Sequence, residues 1–315
     1  MTLPEISVLV PSYNHAPFIE RTLRSIFKQT LRPKKLIVID DGSKDESVAV
    51  IERVLKDCPF RHEFTKRENR GLSATLNEGF ARADTEFFAY LGSDDIWLAE
   101  FLEKRAALLG SRPNAVLAFG HAYLIDEDDN IIESTADWGG FADGDMLPDL
   151  LRGQVFASPT VLYRSTELKK YKWNEDAVLE DYELYLQLCT EGEFALDSSI
   201  LSAWRQHDSN VSGDFPLMLQ QWLAAQDRTA DKLGIDRAKL DEIQAILKFD
   251  SAFTYIRGGQ KKDALRLMRD NIGGARSNSQ IGKLLARLAT PKALFVWNRD
   301  RKRAQSIARY GKLKY

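Results

Sequence analysis

The feature that most limits what this chain can fold into is a change of hydrophobic period, repeated along its first hundred residues. Short runs of strand length, ISVLV (6–10), KLIVID (35–40), the weaker RHEFTK (61–66) and TEFFAYL (85–91), alternate with stretches of helical spacing. In APFIERTLRSIFKQ (16–29), Phe18, Ile19, Thr22, Leu23, Ile26 and Phe27 share one face. SKDESVAVIERVLKD (43–57) carries Ser43 with Glu46 three residues on, the pattern of a capping box. LSATLNEGFARA (72–83) reads as the third helix. This β-α-β-α-β-α-β order predicts an α/β fold, a mostly parallel sheet with helices on both faces. Such sheets bind ligands beyond the carboxyl ends of their strands.

The polar residues fall at those carboxyl ends. The four runs lead into PSYN (11–14), DDGS (40–43), ENRG (68–71) and GSDD (92–95). One such end reads as a helix cap; four in succession read as a site. In YLGSDDIW (90–97) a buried run delivers Asp94 and Asp95 side by side. Adjacent carboxylates repel and are costly to bury unless they cap a helix or hold something positive. Asp95 precedes the helical pattern IWLAEFLEKRAALLG, so it is expected to cap that helix or to support a site residue. Further on, AVLAFGHAYLIDEDDNII (115–132) predicts a hairpin with DEDDN as a solvated turn, and ASPTVLYRS (157–165) another strand. EDYELYLQLCTEG (180–192) predicts a helix with Glu180 and Asp181 at its start. The stretch 195–213 ends in a polar cluster. After Pro216 the pattern is wholly helical, which sets a boundary between a domain at 1–215 and a helical region at 216–315.

Other readings drop out. No G-x-G-x-x-G follows the first strand, and G-K-[ST], G-x-S-x-G and H-E-x-x-H are absent. No apolar run is long enough to span a bilayer, and MTLPEISVLV does not read as a signal peptide. Cys58 and Cys189 lack partners at zinc spacing, which predicts reduced thiols in a cytoplasmic protein. What remains is a nucleotide-sized constellation: Asp40, Asp41, Arg70 and Tyr13 for a base, Asp94 for a divalent ion, and Asp181 for proton transfer.

ISVLVPSYNHAPFIERTLRSIFKQT, KLIVIDDGSKDES, ENRGLSATLNEG, FFAYLGSDDIW, EDYELYLQL and WRQHDSNVSG come in the order seen in family 2 glycosyltransferases of the GT-A fold, and the chain resembles that family over roughly residues 5–213. The resemblance implies inverting transfer from a nucleotide-diphosphate sugar with Mg2+ or Mn2+. Pro11, Ser12 and Tyr13 would line the base and ribose, with Arg70 nearby. Asp41, or Asp40 beside it, would accept from the base, which suits uracil or thymine and hence a UDP- or dTDP-sugar. Asp94 resembles the metal-binding Asp of D-x-D, His207 a position near the diphosphate or metal, and Asp181 the general base. Asp95, Glu180 and Arg205 would support them. One position departs: Gly92 stands where the first acid of D-x-D is common, so that contact must come from water, Ser93 or another residue, and metal affinity is expected to weaken. Trp97, Trp138 and Trp204 are expected in the core rather than as sugar platforms.

A sugar nucleotidyltransferase would carry a Gly-rich loop with Arg and Lys where this chain has PSYNHAPF, and a non-catalytic binding module would release no nucleotide. The implied acceptor is a saccharide, lipid-linked, in surface polysaccharide, O-antigen or capsule synthesis. Residues 276–315 hold eleven Lys/Arg and one acid, a net of +10, so the formal −2 of the whole leaves −12 on the rest. Pro291 is expected to split this tail into two helical pieces. The tail reads as a peripheral contact to an anionic membrane on the cytoplasmic face, or as a helix packing on the acidic body, with no nucleic-acid role.

Overall fold

The computed structural model describes residues 4–207 and 213–315; residues 1–3 and 208–212, the end of the WRQHDSNVSG motif, lie outside the described residues. The predicted alternation is present as β1 (Ile6–Ser12), α1 (Ile19–Phe27), β2 (Lys35–Asp40), α2 (Ser47–Leu55), β3 (His62–Lys66), α3 (Leu72–Ala81) and β4 (Phe87–Tyr90). Strands β3, β2, β1 and β4 lie side by side in that order, all parallel. β1, β2 and β4 are buried throughout, which is why they read as apolar runs without alternation. β3 forms the edge and is more exposed.

The other half of the sheet is mixed. It is built from β5 (Ile96–Trp97), α4 (Phe101–Ser111), β6 (Ala115–Ile125), β7 (Ile131–Ser134), α5 (Leu147–Leu151), β8 (Leu162–Arg164), α6 (Ser165–Leu168), α7 (Glu180–Leu188) and β9 (Glu193–Arg205). From β4 the sheet runs through β8, β6 and β9 to β5, and β7 pairs with β6. β6 and β9 are parallel, while β8, β5 and β7 join antiparallel. One core cluster joins Leu23 and Ile26 of α1 to Val8, Val38 and Phe101; a second joins Leu76 of α3 to Phe88, Tyr163, Trp173 and Tyr185.

The helical region follows as α8 (Phe215–Thr229), α9 (Arg237–Arg257), α10 (Lys261–Asp270), α11 (Asn278–Ala289) and α12 (Lys292–Tyr310), the last two split at Pro291. α8 bridges two cores: Ala225 joins the second sheet cluster, and Leu219 joins Leu247, Phe249 and Leu284. Past α12, Gly311 adopts φ 70°, a left-handed turn that glycine takes without strain. Leu313 then buries among Ile96, Ile125, Ile131 and Ala203, and its amide donates to the Asp129 carbonyl at 2.8 Å.

Three local expectations are corrected. The capping box at Ser43 does not form: the Ser43 amide and hydroxyl donate to Asp40 at 2.9 and 2.6 Å, and α2 starts at Ser47. Asp95 caps no helix, because Ile96 and Trp97 pair with β9 and α4 begins only at Phe101. DEDDN is the β6–β7 turn, yet Asp129 within it is 7% exposed and grips Arg205 at 2.6 Å and Arg21 at 2.9 Å. Trp97 is in the core as expected, stacked on Phe101 at 4.2 Å.

Candidate active site

The loops at the strand ends hold one another in place. The Asn14 amide donates to Ser43 Oγ at 2.9 Å, and the Lys44 amide to Asn14 Oδ1 at 2.7 Å. The His15 amide donates to Ser47 Oγ and the Ala16 amide to Asp45 Oδ2, both at 3.0 Å. The polar residues of PSYNHA and DGSKDES thus satisfy each other's backbone groups and tie the two loops together. On α1, the buried Thr22 hydroxyl lies 2.9 and 2.8 Å from the Ser93 and Asp95 carbonyls and fixes the GSDD turn.

These loops border a cavity of about 840 Å3. Following the strand order, Asp41 ends the β2 side, Pro11 to Tyr13 close β1, and Ser93 and Asp94 follow β4; all line it. Asp41 Oδ1 accepts from the Arg70 amide at 2.9 Å and from the Arg67 guanidinium, and Oδ2 accepts from the Gly71 amide at 2.8 Å. A carboxylate has about four lone-pair directions, so Oδ2 keeps one for a donor in the cavity. Gly42, at φ 81°, lets this turn press onto the next loop: a Cβ there would stand 2.8 Å from the Asn69 amide nitrogen. Tyr13, 46% exposed, offers a ring face at the same end.

Asp94 meets two imidazoles. His207 Nε2 is 2.9 Å from its Oδ2, and His15 Nδ1 is 3.7 Å from its Oδ1. The His207 ring stacks on Phe18 at 5.4 Å and 18°, and His15 meets both rings edge-on. Burial works against ionising Asp94, yet the His207 hydrogen bond and the two nearby rings hold its carboxyl below the usual range. Burial also lowers His15, against the pull of Asp94. Two ring nitrogens and a carboxylate oxygen within 4.8 Å of one another fit a divalent cation.

Beneath this cluster lies Arg205, fully buried. Its Nε donates to the Asp94 carbonyl at 2.8 Å, Nη1 to the Asp126 carbonyl and Nη2 to Asp129 Oδ1, both at 2.6 Å. Its amide donates to Asp95 Oδ1 at 2.9 Å. Arg205 and Asp95 are therefore struts under Asp94. Burial pushes the Asp95 carboxyl well up, and the Asp94 charge adds to it.

Glu180 and Asp181 open α7, where unpaired amides favour negative charge, and both line the cavity. The Tyr90 hydroxyl on β4 donates to Glu180 Oε1 at 3.2 Å. Burial raises both carboxyls, and the Glu180 charge pushes Asp181 further, well above the usual range. The remaining wall comes from Trp138, Trp204 and the helices α8 and α9 through Met218, Trp222 and Tyr255.

With this geometry in view, the deciding comparison is with a protein-family model, Glycosyl transferase family 2, which matches residues 7–177. The chain belongs to glycosyl transferase family 2. It is 28% identical over 170 residues to an uncharacterized glycosyltransferase of Nostoc sp., 53% of this chain and 52% of that one. It is 24% identical over 227 residues to the putative teichuronic acid biosynthesis glycosyltransferase TuaG of Bacillus subtilis, 71% and 85% of the two chains. The chain thus spans about half the length of the Nostoc relative. Among solved structures it resembles S. aureus TarS 1–349 in complex with UDP, with a TM-score of 0.57 at 17% identity over 99% of this chain and 93% of that one. It also resembles the mannosyltransferase PcManGT from Pyrobaculum calidifontis with GDP-Man and Mn2+, with a TM-score of 0.64 at 16% identity over 99% and 88%. These likenesses show the GT-A fold with its helical C-terminal region.

Within this family 2 frame, some expected residues move. Asp40 is 1% exposed and bonds Ser12 and Ser43 rather than lining the cavity, which leaves Asp41 as the acid of this pair that faces it. Arg70 brings only its amide to Asp41; its guanidinium points to Glu78 at 3.7 Å and is 57% exposed. The guanidinium that Asp41 holds is that of Arg67, which immediately precedes ENRG. His15 was missed, although it stands in the same loop as Tyr13 at the same sheet edge. Trp138 and Trp204 line the cavity instead of packing in the core.

Proposed function

We propose that this chain is an inverting glycosyltransferase that moves a sugar from a UDP- or dTDP-sugar to a hydroxyl of a lipid-linked saccharide in surface polysaccharide synthesis. The observation that carries this is the convergence of Asp41, Asp94 and Asp181 on one cavity, which gives base recognition, diphosphate binding and proton transfer adjoining places. The donor base lies on Tyr13, and its N3–H donates to Asp41. PcManGT holds GDP-Man and TarS holds UDP, so the uracil preference rests on Asp41 alone. TuaG, named for teichuronic acid biosynthesis, supports a cell-surface polymer as the product.

Asp94 and His207 would hold a divalent ion, Mg2+ or Mn2+, which supplies positive charge for the departing diphosphate. Asp181 accepts the proton of the acceptor hydroxyl. The acceptor oxygen bonds to the anomeric carbon from the face opposite the diphosphate. The carbon–oxygen bond to the diphosphate breaks, its electron pair leaves with the nucleotide, and the configuration inverts. Trp138 and Trp222 offer stacking faces on the acceptor side, so residues 216–315 serve as an acceptor-side region beside a donor-binding part at 1–215. The basic tail keeps the enzyme on an anionic membrane, beside lipid-linked acceptors.

The test is a panel of UDP-, dTDP- and GDP-sugars scored by nucleotide release, with free and lipid-linked saccharides as acceptors. Uridine or thymidine donors should exceed guanosine donors, and Asp181→Asn should keep donor affinity while losing turnover by roughly 10^2–10^4-fold. A guanosine preference, or near-normal turnover in Asp181→Asn, would sink this reading.

A further inference from the structure

We propose that His15 is a third ligand of the cation at Asp94 and His207, and that the two imidazoles make this site select a first-row transition ion such as Mn2+ or Co2+ over Mg2+. The inference rests on the metal part of the proposed function and adds a residue and a selectivity to it.

His15, Asp94 and His207 are the one group of potential metal-ligating residues found among the described residues, with their ligand atoms within 4.8 Å of one another. The rings are already held for the task. The His15 backbone is tied to Ser47, its Nδ1 lies 2.7 Å from Ser93 Oγ, and Phe18 packs against both imidazoles. Nδ1 has a single lone pair, so to reach the cation it must be released by the Ser93 hydroxyl, which can turn its proton elsewhere when the ion binds. Side chains fixed in advance lose little freedom on binding an ion.

Gly92 contributes no carboxylate to the donor set. A Cβ at residue 92 would stand 2.9 Å from Asp94 Oδ1 and 3.0 Å from Asp95 Oδ2. Both atoms are side-chain ends that a rotation can move, so the missing acid is a change of donor and not a steric necessity. The chain offers one carboxylate and two ring nitrogens instead. Mg2+ binds carboxylate and water oxygens and gives up its water reluctantly, whereas imidazole suits transition ions. A nitrogen-rich set therefore costs Mg2+ more than Mn2+ or Co2+. It also offsets the loss of the first acid, so the expected weakening of metal affinity falls on Mg2+.

The full chain, stripped of metal, would be titrated calorimetrically with MnCl2 and MgCl2 in the presence of UDP, and Co2+ binding would be followed by its visible absorption. Wild type should bind Mn2+ at least about tenfold more tightly than Mg2+. His15→Ala should lose about tenfold in Mn2+ affinity, change little for Mg2+, and alter the Co2+ bands. His15→Gln keeps a polar group for Ser93 and separates ligation from packing; it should lose the preference as His15→Ala does. If folded His15→Gln retains the wild-type Mn2+/Mg2+ ratio and Co2+ spectrum, His15 only positions the turn and the inference is overturned. Asp94→Asn should abolish binding of all three ions. Undiminished binding there would remove the metal site itself, whereas loss there with unchanged His15 variants would remove only the role of His15.

Discussion

At the scale of single residues, the neighbouring acids of α7 make a prediction about pH. Burial raises both Asp181 and Glu180 above the usual carboxylate range, and the Glu180 charge raises Asp181 further. Asp181 must be ionised to accept a proton, so the acid limb of kcat/KM should lie above that range, with activity lost as pH falls through the raised value. Glu180→Gln removes the neighbouring charge and should shift the limb down; a pH–rate profile that does not move would exclude this coupling. The sign for stability runs the other way. A carboxyl raised in the fold is tolerated while protonated and costs stability as pH rises from its unfolded value through its folded one. Glu180→Gln should therefore raise the melting temperature at neutral pH and much less near pH 4. Asp94 and Asp181 were legible in the sequence because each stands where a strand ends or a helix begins, so position aims it at the sheet edge, whereas His207 is reached only through the family resemblance. Asp40 and Asp41 were not separable, because which of two adjacent side chains faces the cavity depends on partners in another loop. Asp40 turns to Ser43, and that leaves Asp41 to the cavity.

Among the elements, β1, β2 and β4 were legible because burial on both faces writes itself as unbroken apolar runs. β5 was not: Ile96 and Trp97 fit a helical pattern, and only β9, about a hundred residues on, pairs with them as a strand. The same long-range partner explains the DEDDN turn. Its acids look like solvated charge until the end of β9 places Arg205 beneath them. A buried guanidinium is costly to desolvate, and here, among the described residues, four acceptor groups and the Phe18 ring at 4.9 Å surround it. Arg205→Leu would leave Asp129 without its buried partner and release the Asp94 turn. It should cost about 3–5 kcal/mol in urea unfolding, as breaking a buried pair does. A loss below about 1 kcal/mol would mean that the cluster is solvated and does not brace the site.

For the whole molecule, charge is the asymmetry that the sequence displayed and the fold divides between two faces. One face of α12 turns inward: Phe295 packs on the helical core, Tyr310 meets Tyr123 at 5.4 Å, and Arg303 reaches Asp126 at 3.1 Å. The other presents Leu294 and Trp297, 53% and 59% exposed, with the Arg301 guanidinium 5.1 Å from the Trp297 ring. Packing on the acidic body and the proposed membrane contact would therefore engage different sides of one helix. No helix among the described residues is long and apolar enough to cross a membrane. Attachment would be peripheral, through two apolar residues and basic groups that each contribute up to about 1 kcal/mol near an anionic surface. Deleting the tail would be a poor test, since it would also remove Leu313 and the amide that holds the Asp129 turn under Arg205. Substituting the outer face leaves that brace in place. The full chain should co-sediment with liposomes containing anionic lipid at low salt and come off as salt rises, and it should ignore neutral liposomes. The double variant Leu294→Asp, Trp297→Asp should stay in the supernatant while keeping nucleotide release on a soluble acceptor. Equal and negligible sedimentation of both proteins would leave α12 as a packing element and remove the membrane from the proposed function.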